Sequence, residues 1–165
     1  MILIKNVLVA TDFSETSAVA LQYGRELART FKATLHVVHA VDLLAARIPM
    51  SQGHGYDLDN LQKEVESSAR SAIAELVTDE DRAKLGAQEA VVSALSPADA
   101  ILDYARDRTI DVIVIGTHGR TGLSRLVMGS VAEKIVRGAP CPVLTVRHPE
   151  HEFVRPDALE AIKHA

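Results

Sequence analysis

Residues 112–130 read VIVIGTHGRTGLSRLVMGS. The run Val112-Ile113-Val114-Ile115 is apolar at every position. A strand with one wet face alternates apolar and polar residues; an unbroken apolar run predicts a strand covered on both faces, as in a parallel sheet flanked by helices. The run ends at Gly116. Further glycines stand at 119, 122 and 129, Ser130 follows, and the next residues, VAEKIVRG, are spaced as a helix to about Arg137. The stretch therefore reads as a buried strand over Asp111–Ile115, a glycine-bearing connection and a helix.

The same alternation extends in both directions. Met1–Ala10 reads as a first strand. Ser14 stands where a helix cap is needed, with Glu15 in the first turn favoured by the helix dipole. Leu21, Gly24, Leu27, Ala28 and Phe31 then recur at helical spacing. Thr34–Ala40 reads as a second strand. Residues 42–56, with Pro49, Gly53 and Gly55, read as a loop. Leu58, Leu61, Val65, Ala69, Ala72 and Leu76 mark an amphipathic helix to about Val77. Gln88–Ala94 is a third strand. Ser96-Pro97-Ala98-Asp99 is a helix start, with serine as cap and proline in the first turn. Pro142–Arg147 is a fifth strand, and residues 148–165 form a polar extension. Five strands with intervening helices predict one α/β domain over residues 1–147, an open parallel sheet with helices on both faces.

Composition limits the function classes. The chain has 165 residues, 47% hydrophobic and 24% charged, and a net charge of −4. That balance suits a soluble domain that recruits neither nucleic acid nor an anionic membrane through its overall field. The one cysteine, Cys141, excludes an intrachain disulfide and suits a reducing cytoplasm. It is expected to be a small buried residue. The N-terminus is a poor signal peptide, and no apolar run approaches the ~18 residues of a membrane span. His36 and His39 lie three apart on the second strand, on opposite faces, so shared metal ligation is not expected.

The chemistry concentrates at two strand ends. In open α/β sheets, ligands bind beyond the carboxyl ends of the strands, where the strand order reverses. The first strand ends in Ala10-Thr11-Asp12 and the fourth in Gly116. If these strands are neighbours, both ends line one crevice. Glycines there let main-chain N–H groups approach a phosphate, and the start of the following helix adds unpaired N–H groups and a favourable dipole. Gly116 is expected to let the chain leave the strand sharply, and Gly119 to allow a second turn. The Ser130 hydroxyl is expected to cap the helix or meet a phosphate oxygen. From Gly116 to Arg137 four basic residues face one acid, a local +3 in a chain of −4.

The spacing Gly116-x2-Gly119-x9-Gly129-Ser130, between an apolar strand and a helix, resembles the signature of the universal stress protein family, in its ATP-binding branch. NVLVATDFSETSAVAL resembles the family's first strand, acidic turn and helix, TLHVVHAVD its second strand, and CPVLTVR its last. The likeness runs over residues 2–147. It implies sheet order 3-2-1-4-5 and a cytosolic stress-response or signalling protein whose bound ATP, with Mg²⁺, is read by partners. It implies that Gly116, Thr117, His118, Gly119 and Arg120 form the first part of a phosphate loop and Gly129, Ser130 and Val131 the second. Asp12 matches an acid near the ribose or a phosphate-bound metal, Ala10 and Thr11 flank it, and Val41, just after the second strand, matches a position that meets adenine. The fifth strand is then an edge, made sticky by Val143, Leu144 and Val146, and the family's usual dimer pairs it with its copy. Nothing transfers to the 42–56 loop or the tail.

Other readings remain beside this one. Asp12 also fits a simple turn cap before Ser14. A slow ATPase or phosphotransferase on the same site is the alternative function, with Asp12 the one nearby candidate base, and an interaction module without nucleotide is a third. Several classes fail on spacing. There is no G-x-S-x-G elbow around Ser130, no G-x4-G-K-[S/T], no dinucleotide fingerprint after the first strand, no phosphoacceptor Asp after the third, and no Cys/His cluster at zinc spacing.

Overall fold

Val112 and Val114 enter one hydrophobic layer of the protein, and Ile113 and Ile115 enter the other. The unbroken apolar run is thus a strand buried on both sides. The computed structural model describes residues 1–43, 58–117 and 129–147. Five parallel strands, β1 (Asn6–Ala10), β2 (Thr34–Asp42), β3 (Gln88–Ala94), β4 (Val112–Gly116) and β5 (Val143–Val146), form one sheet in the order β3-β2-β1-β4-β5. The described helices are α1 (Glu15–Phe31), α2 (Leu58–Leu76), α3 (Asp79–Leu85), α4 (Pro97–Asp107) and α5 (Ser130–Gly138). The architecture is the single-domain α/β sheet that the sequence predicts. Most of the expected 42–56 loop, and the tail after Arg147, lie outside the described residues.

Each face of the sheet has its own core. Val7, Val9, Leu35 and Val37 pack with Ala20, Leu21 and Ala28 of α1 and Ile73 of α2. Leu8, Ala10 and Val38 pack with Ile101, Leu102 and Ala105 of α4 and Ile135 of α5. Alternate residues of β1 thus feed opposite layers, which accounts for its lack of a polar phase. Gly24 lets α1 lie close on the sheet: a Cβ there would overlap Cγ2 of Val9.

Several boundaries differ from expectation for identifiable reasons. Residues 1–5 are not strand; β1 begins at Asn6. Asp111 precedes β4 rather than opening it, and its Oδ2 accepts from the Lys5 and Asn6 N–H groups at 2.7 and 2.9 Å. β2 runs two residues past Ala40, paired with Ser93 and Ala94 of β3. Ser14 caps α1 by accepting from Ser17 N–H at 3.2 Å, as expected. Ser96 occupies the cap of α4 but makes no capping bond, and its buried hydroxyl has no partner among the described residues. Cys141 is half-buried rather than buried.

Helix α3 was not anticipated. Thr78 Oγ1 accepts from Asp81 N–H while the Asp81 carboxylate accepts from Thr78 N–H, a capping box at 3.1 and 3.0 Å. Arg25 of α1 also donates to Asp81 through Nε and Nη2, and to the Leu76 carbonyl at the end of α2. One guanidinium thereby ties together three helices on one face. Asp81 is 1% exposed, so this pair holds a desolvated carboxylate in place.

On the other face β2 buries His36, which is 3% exposed. Its Nδ1 shares a hydrogen bond with Tyr104 Oη at 3.0 Å, and its Nε2 has no partner among the described residues. The Arg108 guanidinium lies 5.6 Å from the Tyr104 ring. The strand neighbours in register, Leu8 and Gln88, carry no charge. Burial, and then repulsion from Arg108, push the His36 pKa below its ordinary 6.5. The folded state therefore resists a proton that the unfolded chain accepts, so His36 favours folding above pH 6.5 and loses that contribution as pH falls. Melting temperatures measured from about pH 7.5 to about pH 5 are expected to fall more steeply for the wild type than for His36→Leu; parallel profiles would exclude this role.

Candidate functional site

β1 and β4 are hydrogen-bonded neighbours as far as Ala10 and Ile115, and there they part. Beyond that point Thr11 N–H still donates to the Val38 carbonyl of β2 at 2.9 Å. Thr117 N–H still donates to the Val146 carbonyl of β5 at 2.7 Å, as Ile113 N–H does to the Pro142 carbonyl earlier in the strand. Each chain thus keeps its outer neighbour after the pairing between the two has ended. A crevice opens between them at the carboxyl ends, where α/β sheets place their ligands.

The β1 side of the crevice is the turn Thr11-Asp12-Phe13-Ser14. Thr11 is buried, and its Oγ1 accepts from Phe13 N–H at 3.1 Å and lies 3.1 Å from Ser17 Oγ. Asp12 Oδ1 accepts from Ser14 N–H at 3.1 Å and Ser14 Oγ at 2.6 Å. The turn-capping role weighed for Asp12 is therefore present. Phe13 has φ 64°, in the left-handed region, and is 39% exposed.

The β4 side corrects one expectation. Gly116 does not have a positive φ and is the last residue of the strand. Its missing side chain serves packing: a Cβ would stand 2.9 Å from Thr16 Cγ2 and 3.3 Å from the Thr16 carbonyl carbon. The first turn of α1 thus presses against the end of β4, which brings the two sides of the crevice together. Thr117 follows, buried.

The second half of the glycine signature returns to the same place. Gly129 N–H donates to the Thr117 carbonyl at 2.8 Å. Gly129, not Ser130, is the N-cap of α5, and no side chain caps the helix. Ser130 is the first helical residue and exposed; Val131 is half-buried. The helix thus begins beside the end of β4 with an N-cap residue that has no side chain to cap it, and a helix start of this kind favours an anion. Glu133, the acid of that turn, is paired with Arg137 at 2.8 Å. His118, Gly119 and Arg120 lie outside the described residues.

Val41 is buried and lies within β2, not beyond it; its partner in register is Ser93. It stands past Val38, the last residue that β1 pairs with. Two residues at the crevice carry no role in the sequence pattern. His39 Nδ1 is 2.8 Å from the Thr11 carbonyl, and its ring packs on that of Phe13, with centroids 4.5 Å apart. Strand alternation places His39 on the face opposite His36, but nothing in the spacing points to a backbone carbonyl on the next strand. Among the described residues no cluster of three or more His, Cys, Asp or Glu could hold a metal by itself, and no helix is long and apolar enough to cross a membrane.

Comparison with known proteins bears on this arrangement. The model of the Universal stress protein family matches residues 3–147. A universal stress protein of Methanocaldococcus jannaschii is 32% identical over 152 residues, covering 91% of this chain and 86% of that protein. The crystal structure of a universal stress protein family member from Burkholderia pseudomallei is similar with a TM-score of 0.67 at 29% identity, over 86% of this chain and 95% of the other. The universal stress protein from Archaeoglobus fulgidus in complex with dAMP has a TM-score of 0.58 at 26% identity, over 88% and 99%.

The contact between Gly116 and Thr16 is open to a double-mutant test. Gly116→Ala is expected to cost about 1–3 kcal/mol by overpacking, and Thr16→Ser, which removes Cγ2, to restore part of it. Additive effects in denaturant titrations would show that the two residues do not press on each other.

Proposed function

The chain belongs to the universal stress protein family, and on that premise we propose that it binds ATP in the crevice between β1 and β4 and acts by binding rather than by turnover. The observation that carries this reading is the end of β1–β4 pairing at Ala10 and Ile115, with the start of α5 held beside it by the bond from Gly129 N–H to the Thr117 carbonyl. In this reading Gly129, Ser130 and Val131 present main-chain donors to the phosphates. Gly116 and Thr117 form the floor, and His118, Gly119 and Arg120 complete the loop. Ala10, Thr11 and Asp12 line the sugar, and Val41 lies toward the base. The dAMP complex of the Archaeoglobus fulgidus relative supports an adenine nucleotide as the ligand class.

The donor set also fits Mg²⁺. That ion is commonly held by one or two carboxylates together with substrate phosphates and water, rather than by a protein cage. In this reading Asp12 is the carboxylate that would share it. The same residue engages Ser14 through Oδ1, which suits a fixed, orienting carboxylate. Occupancy of the crevice is then the state that partner proteins read.

Ser130→Asp separates binding from folding. A carboxylate in the first turn of α5 favours the helix but repels a phosphate. Calorimetry with ATP and Mg²⁺ is expected to give at least roughly tenfold weaker binding, about 1.4 kcal/mol, with an unchanged or higher melting temperature. Unaltered affinity would remove the phosphates from this helix. Mass spectrometry of the small molecule released on denaturation is expected to identify intact ATP.

We also propose that β5 mediates a homodimer. Among the described residues it is an edge strand of four residues paired with β4, and an edge of this kind is a template for a second chain. Val143 and Leu144 are half-exposed there, whereas Val146 is buried in the core and takes no part. Sedimentation at micromolar concentration is expected to return twice the 17.8 kDa chain mass; a monomer would refute the pairing.

A further inference from the structure

We propose that His39 is a positioning residue for the Asp12 turn, holding the peptide plane between Thr11 and Asp12 in the orientation that ligand binding requires. The inference rests on the crevice being the nucleotide site.

The chemistry follows from one contact. His39 Nδ1 lies 2.8 Å from the Thr11 carbonyl oxygen. A carbonyl only accepts, so Nδ1 carries the proton, and neutral His39 is the Nδ1–H tautomer. That bond fixes the Thr11 carbonyl toward β2. In a planar trans peptide the next N–H points the opposite way. The Asp12 N–H is therefore aimed away from β2, to the side on which β1 faces β4. His39 thereby sets the direction of the main chain where the crevice opens.

The following residue shows that the orientation is not simply the relaxed one. Phe13 has φ 64°, a conformation that is strained for an L-residue and that asparagine or glycine adopts more readily. Two contacts offset that cost. Phe13 N–H donates to Thr11 Oγ1, and the Phe13 ring packs on His39 at 4.5 Å with an interplanar angle of 36°. His39 thus holds the turn at two points, through the carbonyl before Asp12 and through the ring after it. Asp12 lies between them, its carboxylate directed by Ser14.

Variants that move the donor test this. Asparagine places a side-chain N–H near the position of Nδ1, whereas glutamine places it near Nε2. Titration of the full chain with ATP and Mg²⁺ by calorimetry is expected to leave His39→Asn within roughly threefold of wild type and to weaken His39→Gln and His39→Leu by at least roughly tenfold. Equal affinities for the Asn and Gln variants would overturn the proposal, and this pair decides the matter even if His39→Leu does not fold. Nitrogen-15 NMR of the wild type without nucleotide is expected to show the Nδ1–H tautomer for His39. An Nε2–H tautomer would refute the positioning bond whatever the protein binds. A wild type that shows this tautomer but binds no nucleotide would instead refute the ATP site, and with it the role of His39 in it.

Discussion

The site depends on where the pairing of two neighbouring strands ends. β1 and β4 share a ladder until Ala10 and Ile115, while Thr11 and Thr117 beyond it still bond to the outer neighbours β2 and β5. Hydrogen-bonding groups in a sheet must be paired, so the strand ends beyond the ladder need partners on their outer sides. β2 and β5 supply them through Val38 and Val146. The opening is therefore a consequence of strand order and needs no cavity in the core. Both hydrophobic layers continue intact below it.

What borders the opening follows from the same topology. Helix α1 must leave β1 and descend one face, and its first turn meets Gly116 of β4. The chain leaving β4 must return to begin α5, and the Gly129 bond to Thr117 brings it back beside its point of departure. A turn carrying a carboxylate, a glycine floor and an exposed helix start thereby converge from segments more than a hundred residues apart in the chain. These elements favour an anion because the main chain itself supplies the donors.

Much of this was legible in the sequence, and the gaps have physical causes. Unbroken apolar strands and helical spacing report burial, which is why the order of elements and the two-layer core could be read. The glycine signature draws attention to Gly116 and suggests a sharp exit from the strand, whereas the missing side chain clears Thr16. Sequence cannot tell a glycine needed for a turn from one needed to clear Thr16. Helix α3 has a capping box in Thr78 and Asp81, yet it is short, and much of its tertiary support comes from Arg25, fifty-six positions away. The Ser96 position shows the converse: a standard start signal with no bond formed. Sequence places His39 on a strand face but not its contact, which is with a carbonyl of another strand, and contacts of that kind leave no periodicity.

Two absent side chains give α1 a property that neither gives alone. Gly24 rests the middle of the helix on Val9, and Gly116 receives its first turn at Thr16. Eight residues, about 12 Å of helix, separate these supports. A rod seated at two points has no freedom to tilt, so bulk added beneath its middle would act as a fulcrum and swing its leading end. Sequence drift deep in the hydrophobic layer at Gly24 would thus alter the gap at the sheet's rim, coupling interior packing to ligand fit without touching a single residue that lines the mouth.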